Sequence, residues 1–91
     1  MKTFTKDPEA VLDYEWDWSA WLGTDIIAQV DGVVFTATEG LVVDSFTSVD
    51  GVIVAWISGG TDQESGIVTC KITTALGRVN KRSAIFNLAP Q

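Results

Sequence analysis

The chain of 91 residues contains no histidine and a single cysteine. Without imidazole the ordinary general base near neutral pH, the commonest metal ligand and every Ser-His or Cys-His nucleophile pair are absent. One thiol cannot form an internal disulfide, and Cys70 lies in "IVTCKIT" between apolar neighbours of an expected strand, where a small buried core residue is anticipated. No apolar run approaches the roughly 20 residues that span a bilayer. The amino end, "MKTFTKDPEAV", lacks the apolar stretch of a secretory signal, so a soluble chain with no export step and no membrane partner is expected. Basic residues are also scarce, six against twelve acidic ones for a net charge of -6, which leaves too little cationic surface to neutralise a phosphate backbone and excludes nucleic acid as a partner.

What the chain does have is enough apolar character, 46% of residues, to offset its ordering entropy and build one modest core. Helical periodicity is nearly absent. Short β-branched runs recur about every ten residues, at 11–18, 25–30, 33–38, 41–46, 52–58, 66–74 and 79–88. Turn chemistry separates them: Asp31-Gly32, Glu39-Gly40, Asp50-Gly51, Gly59-Gly60 and "ALGR" at 75–78. This spacing predicts an all-β sandwich or barrel of about seven strands over residues 11–91, with residues 1–10 as an amino-terminal extension in which Asp7-Pro8 has the chemistry of a helix start. The "ALGR" turn predicts an antiparallel hairpin with Val68, Cys70, Ile72, Ala84, Phe86 and Leu88 directed to the core. "VIVAWIS" at 52–58 is apolar on both faces and requires cover on both, from within the chain or from another chain.

"LDYEWDWSAWLG" alternates Leu12, Tyr14, Trp16 and Trp18 with Asp13, Glu15 and Asp17, the signature of a strand with one aromatic and one acidic face. "WSAWLG" predicts one short helical turn ended by Gly23. Burying one ring is worth roughly 1.5–3 kcal/mol against a net stability of ~5–15 kcal/mol, so most of these rings are expected to be packed. Alternate carboxylates on a flat strand stand nearly 7 Å apart and do not converge as the six to eight oxygens of a calcium site do, so no metal is assigned. Paired carboxylates beside tryptophan also occur in sugar-processing sites, but such pairs are common in any acidic domain, and neither catalytic residues nor a cofactor is assigned.

The charges are segregated along the chain. Every carboxylate lies between Asp7 and Glu64, and Lys71, Arg78, Lys81 and Arg82 form a basic carboxyl-terminal stretch. Two accounts stay open: strands that fold back to pair opposite charges, or a polar molecule whose two ends meet different neighbours.

Taken together, "KDPEAVLDYEWDWSAWLGTD", "GLVVDS", "WISGGT" and "TCKITTALGRVNKRS", spread over residues 6–88, resemble the phage fiber-tail adaptor family of small virion proteins from tailed bacteriophages. The sequence departs from the family's pattern at Cys70, where a polar residue is common, and at Trp16, where a less bulky one is. The resemblance implies an immunoglobulin-like antiparallel β-sandwich that joins tail or neck components, such as fibres, without catalysis. It implies other virion structural proteins, and copies of the chain itself, as partners, and a place in the virion after synthesis in the host cytoplasm. Antibody-type marks are missing: there is no second cysteine, and Val68 stands two residues before Cys70 where a tyrosine would. The interface residues expected on this reading are the rings Trp18, Trp21 and Trp56 with the cations Arg78, Lys81 and Arg82. A capsid-decorating module, or one that binds a receptor or carbohydrate by stacking Trp16 or Trp21 on a sugar ring, is the alternative.

Overall fold

A computed structural model describes residues 2–90, and within them seven strands pack as two sheets face to face. The strands are β1 (Lys2–Lys6), β2 (Leu12–Asp17), β3 (Val33–Ala37), β4 (Leu41–Val49), β5 (Val52–Gly59), β6 (Ser65–Thr73) and β7 (Val79–Leu88), with a single helical turn α1 (Ser19–Leu22) after β2. One sheet has the order β1-β7-β6-β3 and the other β2-β5-β4. The all-β sandwich expected from the sequence is therefore the observed architecture.

Period-two alternation decides which side chains are inside. Val68, Cys70 and Ile72 of β6, Ala84, Phe86 and Leu88 of β7, and Ile53, Ala55 and Ile57 of β5 are all buried. Aromatic contacts then bind the sheets across the core: Tyr14 of β2 meets Phe86 of β7 edge-on at 4.7 Å and Phe4 of β1 at 4.9 Å. Farther along, Trp16 of β2 meets Phe35 of β3 at 5.4 Å.

Local turn chemistry fixes the β4–β5 hairpin. Asp50 and Gly51 both have positive φ, 52° and 81°, the two-residue loop whose twist matches the flanking strands, and Val49 pairs directly with Val52. Gly51 is required for a second reason, since a Cβ there would stand 2.8 Å from Leu22 Cδ1 and 3.2 Å from Ser19 Cα, so α1 lies tight against the hairpin. The "ALGR" turn likewise joins β6 to β7 in the expected antiparallel pairing.

Three features differ from the sequence reading. Residues 25–30 do not form a strand: Ile27 makes only an isolated bridge to Thr74, because the backbone there is spent on single bonds, Ala75 N to Ile26 O and Ala28 N to Thr73 O. Residues 2–6, read as part of an extension, form β1. That strand pairs with β7 in parallel, the one departure from the expected antiparallel arrangement among the described strands. The two segments lie at opposite ends of the chain, so no hairpin constrains their direction. Met1 and Gln91, the outer bounds of the expected extension and domain, lie outside the described residues.

The parallel strand carries Lys6 into the interior. Its alternation directs Phe4 and Lys6 inward, and the fully buried Lys6 ammonium donates to the carbonyls of Asp7, at 2.9 Å, and Gly59 at the end of β5, at 2.8 Å. Burial lowers its pKa, and the charges of Asp7 and Asp44 oppose that shift. Lys6 thus ties one sheet to the other where an apolar residue would leave a carbonyl bare. Lys6→Ala is expected to cost about 2–3 kcal/mol, from the loss of the ammonium's bonds to the Asp7 and Gly59 carbonyls, of which Asp7 keeps the Ala10 N–H, and from the lost packing of the stem. Urea unfolding checks this, and a loss under about 0.5 kcal/mol would contradict it.

Candidate functional site

The expected interface residues fall into three places. Trp18 and Arg82, and beside them Trp21 and Arg78, make a corner where α1 meets the β6–β7 hairpin. Trp56 stands alone in the middle of β5. Lys81 lies on the outer face of the other sheet.

At the corner the Trp18 indole, expected as an interface residue, is completely buried within the subunit. It follows β2, where Trp16 already points inward, and the turn into α1 swings it over the core. The Arg82 guanidinium covers its ring at 4.2 Å while Nη1 donates to the Asp17 carbonyl at 2.7 Å. Arg82 occupies the β7 position opposite Cys70, an inward-facing site at the end of the sandwich. The Cys70 thiol beneath is pushed up to about 11 by burial, against the pull of the Arg82 charge and of the nearby Trp18 Nε1–H, which is buried and too poorly placed to make a hydrogen bond.

Trp21 repeats the arrangement one step outward. Its ring meets Trp18 edge-on at 5.7 Å and lies under the Arg78 guanidinium at 4.3 Å. Arg78 also donates from Nε to Asp25 Oδ2 and from Nη2 to the Leu22 carbonyl, both at 3.0 Å, so it closes the end of α1. Asp25 is buried and accepts the Ile26 N–H at 2.8 Å. The Thr74 hydroxyl first, then the Ile26 N–H and Arg78, hold its carboxyl below the usual carboxylate range. Asp17 is lowered too, by the Ser19 hydroxyl and N–H and by the charges of Arg82 and Lys2. Both arginines are therefore committed within the subunit, each to a ring and a backbone carbonyl.

Trp56 has no such cover and is 43% exposed. Its neighbours on the outer face of β2-β5-β4 follow from register: Asp13 and Ser45 flank Trp56, Glu15 and Thr47 flank Val54, and Asp17 and Val49 flank Val52. Val42 and Val49 are also exposed. The result is an apolar strip beside a row of carboxylates, with Asp44 at a bulge on the far side accepting the Ser58 hydroxyl at 3.0 Å. On the opposite sheet Lys81 is exposed and pairs directly with Lys71.

A cleft of about 570 Å³ opens between β1 and β2, lined by Lys2, Phe4, Glu15, Trp16, Arg82 and Ala84 among others. Charges of both signs line it without converging on one point. Among the described residues no three His, Cys, Asp or Glu side chains gather as a metal set.

Sequence reasoning missed Lys6 and Asp25. Lys6 lies in "KTFTK", where Phe4 is the one apolar side chain on a face it shares with two lysines, and Asp25 preceded β-branched residues that read as a strand. It also missed that Val42 and Val49 share the outer face with Trp56, because the bulge between Val43 and Ser45 shifts which side of β4 faces out.

The family model of the podophage GP4 fiber-tail adaptor protein gp77 matches residues 6–87, from the buried lysine to the end of β7. No curated protein matches the chain.

The corner generates a pH prediction. Because the folded state holds Asp25 ionised below its unfolded value, its contribution is complete above that value, roughly pH 3.9, and is lost as pH falls through the folded one. Asp25→Asn should melt at a lower temperature than wild type at pH 7, and the difference should shrink as the pH is taken progressively below about 3.9. A constant difference across that range would mean the carboxylate charge is not what holds the corner.

Proposed function

The chain belongs to the podophage GP4 fiber-tail adaptor family, and from that premise we propose that it is a non-enzymatic piece of the virion that joins tail components, fibres among them, by docking proteins on the outer face of β2-β5-β4. The exposure of Trp56 carries this reading. A tryptophan in the middle of a central strand, on the same outer face as exposed Val42 and Val49, keeps 43% of a large ring in water that a neighbour's surface would bury. Such rings, desolvated at the centre of a contact, supply most of an interface's free energy.

The corner has a different part in this reading. Trp18 and Trp21 are stacked under Arg82 and Arg78, so they hold α1 and the β6–β7 hairpin in one shape, and the outer edges of the two guanidiniums, with Lys81, offer cations to an acidic neighbour. A carbohydrate site is less well supported, since Trp16 is only 6% exposed and packs edge-on against Phe35, while Arg78 already occupies a face of Trp21.

Trp56→Ser separates contact from folding. Because the side chain stands on the outer face and is not part of the buried core, the melting temperature should stay near wild type, within about 1 kcal/mol of stability. Incorporation into particles, measured by quantitative blotting of purified virions, should fall at least tenfold, which corresponds to about 1.4 kcal/mol of lost contact. Normal incorporation of the folded variant would overturn this assignment of the face.

A further inference from the structure

The two broad faces of the sandwich carry opposite charge. On β2-β5-β4 the outward strand positions hold Asp13, Glu15 and Asp17, with Asp44 at the bulge, and no lysine or arginine. On β1-β7-β6-β3 they hold Lys71 and Lys81 among threonines and serines, and no carboxylate. The segregation along the sequence has become a segregation in space, because β2 and β4 come from the acidic part of the chain and β6 and β7 from the basic part.

Asp17 feels Arg82 and Lys2, and Asp44 feels Lys6, but Asp13 and Glu15 on one face and Lys71 and Lys81 on the other form no ion pair among the described residues. Lys71 and Lys81 are direct cross-strand partners, a placement in which like charges repel. Among the described residues the ion pair present is Arg78–Asp25, at the corner and on neither face. Each face also has apolar area to bury: Trp56, Val42 and Val49 on the acidic side, Ile67, Val34 and Val79 on the basic one. The molecule measures 41 × 21 × 17 Å, so a broad side has room for about the 800 Å² per partner of a standard interface.

We propose that the acidic β2-β5-β4 face of one copy docks on the basic β1-β7-β6-β3 face of a second copy of this chain, so that copies associate head to tail. This rests on the reading of the Trp56 face as a contact surface and names its partner. Two copies meeting through the same face would bring the Asp13 and Glu15 rows together, or Lys71 and Lys81 against their counterparts, and like charges across a contact oppose it. Unlike faces bring carboxylates to lysines and set Trp56 against the Ile67 region. Because each copy presents both faces, the contact repeats and either closes into a ring or extends, depending on the rotation between copies.

Charge exchange tests this with the full-length purified chain, its mass followed by analytical ultracentrifugation and its fold by circular dichroism. Wild type should associate beyond the monomer at low ionic strength and dissociate as salt is raised. Lys71→Glu with Lys81→Glu makes both faces acidic, and Asp13→Lys with Glu15→Lys turns the carboxylate row basic. Each double variant alone should associate at least tenfold more weakly. An equimolar mixture of the two should recover, and so should one chain carrying all four changes. The substituted side chains are exposed strand positions, and the salt titration of wild type stands without any variant.

A wild type that stays monomeric up to about 1 mM, the weak end of specific association, overturns the proposal. Association indifferent to salt and to both double variants overturns it as well, as does a mixture that fails to recover. If Trp56→Ser is excluded from particles while wild type remains monomeric, the face is a contact surface for a different tail protein. Normal incorporation of Trp56→Ser overturns the underlying reading itself.

Discussion

Enclosure of the Trp18 indole is the constraint on which the rest of the molecule depends. Its backbone N–H donates to Gly51 of the β4–β5 hairpin and its carbonyl accepts from Leu22, both at 2.9 Å. Its ring lies over the end of the core and under Arg82 of β7. One residue thereby joins β2, α1, a hairpin of one sheet and a strand of the other. The hydrophobic gain from burying such a ring is roughly 1.5–3 kcal/mol, and the stacked guanidinium adds about 0.5–2 kcal/mol where it is partly desolvated. Gly51 has to be glycine because this closure brings α1 onto the hairpin.

That closure also determines which charges remain for contact. Arg82 and Arg78 would be the strongest cations on the surface, but each is bound to a ring and a carbonyl, and Arg78 to Asp25 in addition. What is left on the open sheets is lysine on one side and carboxylate on the other. Arginine, with its planar fork and stacking face, suits the fixed internal role, while hydrated lysine suits a face that can lose its partner. Lys6 is the exception: it is buried, and its ammonium serves as a bridge between β1 and the end of β5.

Much of the fold was legible in the sequence, and the reasons are local. Alternation in β6 and β7 predicted their buried faces residue by residue, and Asp50-Gly51 predicted its hairpin because no other short loop uses that pair so readily. The double-sided apolar character of β5 marked a strand whose inner face, Ile53, Ala55 and Ile57, is buried and whose outer face carries Val52, Val54 and Trp56. The amino-terminal strand was not legible, since Phe4 is a lone apolar residue between two lysines on that face and the parallel pairing with β7 depends on the whole chain having folded. The candidate contact residues divided for a similar reason. Exposure of Trp56 follows from its place in one strand, whereas burial of Trp18 requires Arg82, 64 residues later in the chain, to lie across it. Tertiary partners of that kind leave no trace in local periodicity.

A β-sandwich with open sheets must also avoid pairing through its edges, and the way this chain does so bears on the proposal that its faces make the contacts. The β2 edge carries Asp13, Glu15 and Asp17, so two such edges side by side would align like charges. The β4 edge is interrupted by the bulge between Val43 and Ser45. β1 and β3 are only five residues each, too short to template a long ladder. With the edges blunted, the surfaces left for burial are the two broad faces, and one of those holds Trp56. Specificity then comes from side chains on a rigid pleated surface rather than from backbone pairing, as an adaptor that must bind one neighbour and refuse unrelated strands requires.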